Sequence, residues 1–183
     1  MRWPIYQASQ ILHHQGIIAY PTETVWGLGC DPFDRASLAR IIAIKKRESH
    51  KGLILVAGSI EQFEFLIHDL PELQKEQLDA SWPGPFTYLV PHKNRVHPLV
   101  HGKFSTVAIR VSSHPMVQQL CKHFGGPIVS TSANYAGRPT VKTSVQAQRL
   151  LGHELDFILA GPVGLSPAPS RIVDLQSGRV IRN

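Results

Sequence analysis

Cysteine is scarce: the 183-residue chain has two, Cys30 and Cys121, far apart and in no CxxC pair. That argues against a disulfide framework or a thiolate zinc site and fits a reducing compartment. No apolar run is long enough to span a bilayer, and Met1–Gln7 lacks the apolar core of a signal peptide, so the expectation is a cytoplasmic protein without membrane association. Three familiar signatures are also missing. There is no GxxxxGK[ST] loop and no GxGxxG after the first apolar strand, which removes both common phosphate cradles, and no GxSxG elbow. Acidic residues are few, 13 against 19 Lys and Arg, for a net charge of +6. A basic balance favours anionic partners such as nucleic acid, nucleotides or phosphorylated metabolites, without choosing among them. No repeat, low-complexity tract or linker divides the chain, so residues 1–183 are expected to form one domain.

What is present is the patterning of a folded protein, with 43% hydrophobic and 17% charged residues. Ala8, Ile11 and Leu12 have helical spacing, and Gly16 supplies a stop, predicting a helix over 6–15. Ile17–Tyr20 reads as a strand. Asp34 is placed to cap a helix with Leu38, Ile41 and Ile42 on one face. Leu53–Ala57 reads as a buried strand, and Ser59 with Gln62 makes a capping-box signal for a helix through Ile67. Further helices are expected from Pro71 to about 80, over Pro115–Phe124, and from a Ser144 cap to near Gly152. Strands are expected at Phe86–Val90, Val107–Val111, Pro127–Val129, Phe157–Ala160, Ile172–Leu175 and Arg179–Arg182. Strands separated mostly by helices, with a closing hairpin, predict an α/β (α+β) fold on a mixed sheet.

Several strand and helix ends carry unusual polar groups. Tyr20-Pro21-Thr22-Glu23-Thr24-Val25-Trp26-Gly27-Leu28-Gly29 reads as a strand end followed by a loop, either structural or ligand-binding. Lys45, Lys46, Arg47 and Lys51 concentrate charge where a helix ends, which suits both the helix dipole and an anion site. Ser130-Thr131-Ser132-Ala133-Asn134 crowds hydroxyls and an amide at a strand end, as either a turn or a ligand contact would require. Arg110 lies inside an apolar strand and needs a partner, either a structural carboxylate such as Asp174 or a substrate carboxylate. His97 and His101 have a metal-like spacing only on a helix, which Pro98 and the loop context disfavour.

In their order these stretches resemble the YrdC/TsaC family of threonylcarbamoyl-AMP synthases. Pro21–Leu28 resembles its PTET-aromatic-GL segment, Lys45-Lys46-Arg47 its KxR, Trp82–Thr87 its WPGPxT, Thr106–Val111 its Arg-bearing strand and Ser132-Ala133-Asn134 its SxN. The resemblance runs from Ile17 to Arg182. It implies a YrdC-like domain, a twisted mixed parallel and antiparallel sheet flanked by helices around a concave basic cavity. It also implies formation of L-threonylcarbamoyladenylate and pyrophosphate from L-threonine, bicarbonate and ATP. The product serves threonylcarbamoyladenosine formation at position 37 of tRNAs reading codons that begin with A.

By resemblance, Lys45 and Arg47 are the catalytic cations. Lys45, Arg47, Lys51, Thr106, Ser132, Asn134, Thr140 and Arg182 bind ATP, and Thr22, Arg110, Ser130 and Ser170 hold threonine. Magnesium enters with the ATP phosphates rather than on a protein metal site. A downstream threonylcarbamoyl-transferase complex and tRNA are the implied partners. The chain departs from the family at Trp26 (usually Tyr or Phe), Glu48 and Gly52 (commonly Pro) and Arg171 (commonly Thr), and is expected to lack the C-terminal domain of longer members. Two other readings stay open: a non-catalytic RNA-binding protein for tRNA, double-stranded RNA or ribosome maturation, and a paralogue with another substrate.

Overall fold

The computed structural model describes residues 3–166 and 168–183. In chain order the elements are α1 (Trp3–His13), β1 (Ile18–Pro21), β2 (Trp26–Gly29), α2 (Arg35–Ile44), β3 (Ile54–Ala57), α3 (Glu64–Ile67), α4 (Glu72–Ser81) and β4 (Phe86–Pro91). They continue as α5 (Pro98–His101), β5 (Thr106–Val111), α6 (Pro115–Phe124), β6 (Ile128–Ser132), α7 (Ser144–Leu151), β7 (Phe157–Ile158), β8 (Arg171–Asp174) and β9 (Val180–Arg182). The strands form one mixed sheet in the order β7-β1-β2-β6-β3-β5-β4-β8-β9. The pairs β1–β7, β3–β5 and β4–β8 are parallel and the remaining five antiparallel.

The expected mixed α/β sheet is therefore present, with local corrections. The first helix begins at Trp3 rather than residue 6. The stretch read as a loop after Tyr20 is a hairpin, with Tyr20 opposite Gly27 and Ile18 opposite Gly29. A Cβ on Gly29 would lie 2.8 Å from Tyr20 Cε1, and one on Gly27 3.3 Å from Tyr20 Cζ, so the Tyr20 ring covers both glycines. That cross-strand packing makes a strand of residues with poor strand propensity. The capping box does not form, since Ser59 makes no side-chain cap. Gln62 instead accepts from Gly58 N at 2.8 Å and donates to the Cys121 carbonyl at 2.8 Å, splitting the expected helix into a 3₁₀ turn and the single turn of α3. Thr143, not Ser144, caps α7, its hydroxyl accepting from Gln146 N at 3.1 Å. Around His97 a one-turn helix replaces the loop, with His97 as its cap.

Alternation along the strands assigns the two faces. On one face Ala19, Leu28, Leu55, Val107, Ile109, Val111 and Val129 join the larger core cluster with Leu38, Ile41 and Ile44 of α2, Leu78 of α4 and Leu151 of α7. On the other, Ile18, Tyr20, Val56 and Ile128 pack under α1 and α6 through Ile5, Leu12, Val117 and Leu120. These two helices lie against each other and roof only part of that face, over β1, β6 and β3. Toward β5, β4 and β8 the same face carries Ala108, Arg110, Thr87, Leu89 and Ile172, which line an open cavity. The burial pattern of β5 shows the split: Val107, Ile109 and Val111 are buried, while Thr106, Ala108 and Arg110 are half-buried.

Candidate functional site

The uncovered part of the sheet floors a cavity of about 710 Å³, a volume typical of small-molecule sites. It is bordered by Thr22, Arg47, Lys51, Thr106, Arg110, Ser130, Ser132, Thr140, Ser170 and Arg182. A second pocket of about 350 Å³ adjoins it, sharing Arg47, Lys51 and Ser132 and adding Lys45 and Asn134. The twelve expected site residues thus all border these two adjoining pockets. Trp26 also borders the cavity, yet it is fully buried in the larger core cluster.

The spacing of Lys45 and Arg47 follows from how α2 ends. Lys45 is the C-cap of α2 and Lys46 turns left-handed at φ 45°. Lys46 N then donates to Ala43 O at 2.9 Å and Arg47 N to Ile42 O at 3.0 Å, the paired bonds of a Schellman ending. The reversal sends the two flanking cations into different environments. Lys45 is buried, and its ammonium donates to the carbonyls of Ser132 at 2.6 Å and Asn134 at 2.7 Å and to Asn134 Oδ1. Those bonds use its three N–H groups. Burial, and secondarily the charge of Arg47, pull the Lys45 ammonium down to about 8. Arg47 is half-buried, tied through Nε to Gly52 O at 3.0 Å and through Nη2 to Lys51 O at 3.2 Å. Burial lowers its pKa, but a guanidinium remains charged at neutral pH. Lys51 is exposed, 2.8 Å from Glu48.

The Ser132–Asn134 turn is built around Lys45. Ser132 Oγ donates to Asn134 Oδ1 at 2.8 Å, and Asn134 Nδ2 donates to the Arg138 carbonyl. At the other end of the floor, Thr22 donates to the Val25 carbonyl at 2.6 Å, and Ser170 and Thr87 share a hydrogen bond of 2.7 Å. Arg182 donates to Ser170 O at 2.8 Å, fastening β9 over this corner.

Arg110 has a partner that the sequence reading missed. Glu23, on the β1–β2 connection, places Oε1 2.9 Å from Arg110 Nη2, and both side chains are mostly buried. Asp174, the carboxylate first considered, is occupied by Ser177, accepting from its hydroxyl at 2.7 Å and its amide at 2.8 Å. Burial alone would raise the Glu23 carboxyl, but Arg110, the Ser112 hydroxyl and backbone amides outweigh it and hold the group below its ordinary value. Among the described residues lining the cavity, Glu23 is the sole carboxylate, which only the sheet order reveals.

His101, which lines the cavity, stacks on the buried His92 with ring centroids 3.8 Å apart. Among the described residues no three His, Cys, Asp or Glu side chains converge as metal ligands, and no helix is long and apolar enough to cross a membrane. Cys30 and Cys121 are buried, and burial pushes both thiols up to about 12, so neither is an activated nucleophile. The arrangement is suited to hold a molecule with separated anionic groups: cations at one end, a guanidinium at the other, hydroxyls between.

A family model described as telomere recombination (Sua5, YciO, YrdC) matches residues 10–183. The threonylcarbamoyl-AMP synthase of Saccharophagus degradans is 52% identical over 176 residues, 96% of this chain and 92% of that protein. The Stutzerimonas stutzeri protein of the same name is 46% identical over 180 residues, 98% and 97% of the two chains. Among solved structures, P. abyssi Sua5 complexed with L-threonine superposes with a TM-score of 0.90 at 29% identity, covering 98% of this chain and 53% of that one. The chain thus spans about half the length of that Sua5 structure. E. coli YciO shares the fold, with a TM-score of 0.85 at 24% identity over 100% and 90% of the two chains.

Proposed function

Since the chain belongs to the Sua5–YciO–YrdC family, we propose that it is an L-threonylcarbamoyladenylate synthase, a nucleotidyltransferase acting in the cytoplasm. The observation that carries the proposal is one cavity with Arg47 and Lys51 at one end and Arg110 at the other, floored by hydroxyl-bearing strand residues. Threonine would place its carboxylate at Arg110, near Thr22, Ser130 and Ser170. ATP would place its phosphates at Arg47, Lys51 and Lys45, near Ser132 and Asn134, with Thr106, Thr140 and Arg182 alongside. Magnesium enters as part of the nucleotide substrate, held by phosphate oxygens.

The chemistry asks mainly for charge neutralisation. The threonine nitrogen bonds to the bicarbonate carbon with loss of water, giving a carbamate. A carbamate oxygen then attacks the α-phosphorus, and the bond to the β-phosphate oxygen breaks to release pyrophosphate. Two like unit charges 4 Å apart repel by about 1 kcal/mol in water and about 4 kcal/mol at an effective dielectric of 20. Bringing a carbamate onto a triphosphate in a recessed site therefore needs fixed cations, and positioning supplies much of the remaining acceleration. Arg47 presents a planar fork to the phosphoryl oxygens. Lys45 contributes its charge and holds the Ser132–Asn134 turn against the nucleotide. The adenylate then passes to a threonylcarbamoyl transferase acting on tRNA.

The test is pyrophosphate release from ATP. It should require both L-threonine and bicarbonate, and release indifferent to either would overturn the proposal.

A further inference from the structure

We propose that Glu23 is a positioning residue for amino-acid recognition, fixing the Arg110 guanidinium so that its remaining donors meet the substrate carboxylate. The inference rests on the threonine-binding reading and adds to it a residue, a geometry and a source of selectivity.

Arg110 is anchored on two sides. Its Nε donates to the Gly84 carbonyl at 3.0 Å, and its Nη2 lies 2.9 Å from Glu23 Oε1. Nη1 has no protein partner among the described residues. Glu23 is itself held: Oε1 accepts from the Ser112 hydroxyl at 2.7 Å and from Ser113 N at 3.0 Å. Its backbone is pinned as well, because Ser166 N donates to Glu23 O at 3.1 Å and Gly164 N to Thr22 O at 2.9 Å. Three separate segments, at residues 84, 112–113 and 164–166, therefore converge on one carboxylate–guanidinium pair that faces the cavity.

A long arginine side chain loses rotamer freedom on binding, and pre-anchoring removes that cost from the binding step. The pair also offsets the Arg110 charge within the protein until a carboxylate arrives. That makes Glu23 unsuited to remove the amine proton, since a carboxylate held below its ordinary value is a weak base at neutral pH. Its action is on Arg110.

The experiment measures binding of L-threonine and of L-threoninamide, which lacks the carboxylate, to wild type and to Glu23→Gln by calorimetry. Wild type should prefer the acid. Glu23→Gln keeps an acceptor for Ser112 and Ser113 but removes the charge, and should weaken L-threonine by about tenfold. Threoninamide and ATP affinities should stay within about twofold, the spread expected where Arg110 makes no contact. A threonine affinity unchanged from wild type, or an equal loss for acid and amide, overturns the proposal. If wild type binds neither ligand, the threonine reading fails and the proposal with it. Should Glu23→Gln not fold, Ser112→Ala tests the same chain of contacts. It should produce a smaller loss confined to the acid, and undiminished preference for the acid overturns the idea.

Discussion

Lys45 and Asn134 are joined twice: the buried ammonium donates to both the backbone carbonyl and the side-chain oxygen of the same asparagine. A helix end and a strand end are thereby fixed to each other beside the cavity. Asn134→Ala keeps the carbonyl but removes Oδ1 and Nδ2. Turnover should fall by about a hundredfold, the scale of losing a positioned polar contact, while the melting temperature moves by only a few degrees. Near-wild-type pyrophosphate release would show that the turn is not part of the site.

Lys45 also links stability to pH. Its pKa is about 8 in the folded chain against an ordinary 10.5, so below pH 8 both states are protonated and burial of the charge costs stability in full. Between the two values the unfolded chain holds more protons, and stability rises with pH. Urea unfolding of wild type and Lys45→Met should show the wild-type stability improving relative to the variant from pH 8 to 10. A constant difference would contradict the lowered pKa.

The Glu23–Arg110 pair predicts a dependence of the same sign in a lower pH window. Glu23 is held below its ordinary value, so its contribution is present above the unfolded pKa and is lost as pH falls through the folded one. Arg110→Met leaves a buried, uncompensated carboxylate, a loss of about 3–5 kcal/mol at neutral pH. With the cation gone, burial raises the Glu23 pKa, and protonation relieves the defect in acid. The stability gap between wild type and variant should therefore narrow between pH 7 and 4. A gap that does not change with pH would place the energy elsewhere.

Gly164 bears on the site through shape alone. A Cβ there would lie 2.9 Å from both Cα and O of Glu23, atoms of a backbone that cannot swing aside. Gly164→Ala should lift residues 164–166 from the β1–β2 connection and raise the KM for threonine with little change in that for ATP. Equal effects on both substrates would contradict this picture.

Much of the fold was legible because the larger core obeys local periodicity. The stripe of α2, the N-cap Asp34 that accepts from Ser37 N at 2.7 Å, and the alternation of β5 can each be read within one segment. The features that were not legible depend on residues distant in the chain. Gly27 and Gly29 form a strand because Tyr20 fills the space above them. Gln62 abandons its cap because the Cys121 carbonyl is nearby. Glu23 and Asp174 are equally plausible partners for Arg110 until the sheet order places one beside it and commits the other to its own turn. The KxR spacing was visible as a motif, but its cause, a left-handed Lys46 between a buried and a half-buried cation, needs the helix ending.

Because α1 and α6 roof only part of their sheet face, the strands beneath the cavity carry two independent messages on alternate residues. Val107, Ile109 and Val111 are answerable to packing on the far side; Ala108 and Arg110 face the cavity, where Arg110 is held by Glu23 and Gly84. Exchanging Ala108 or Leu89 for another side chain would recut the substrate chamber without disturbing a contact in the larger core. A descendant of this protein could change what it accepts while keeping every rafter of the house.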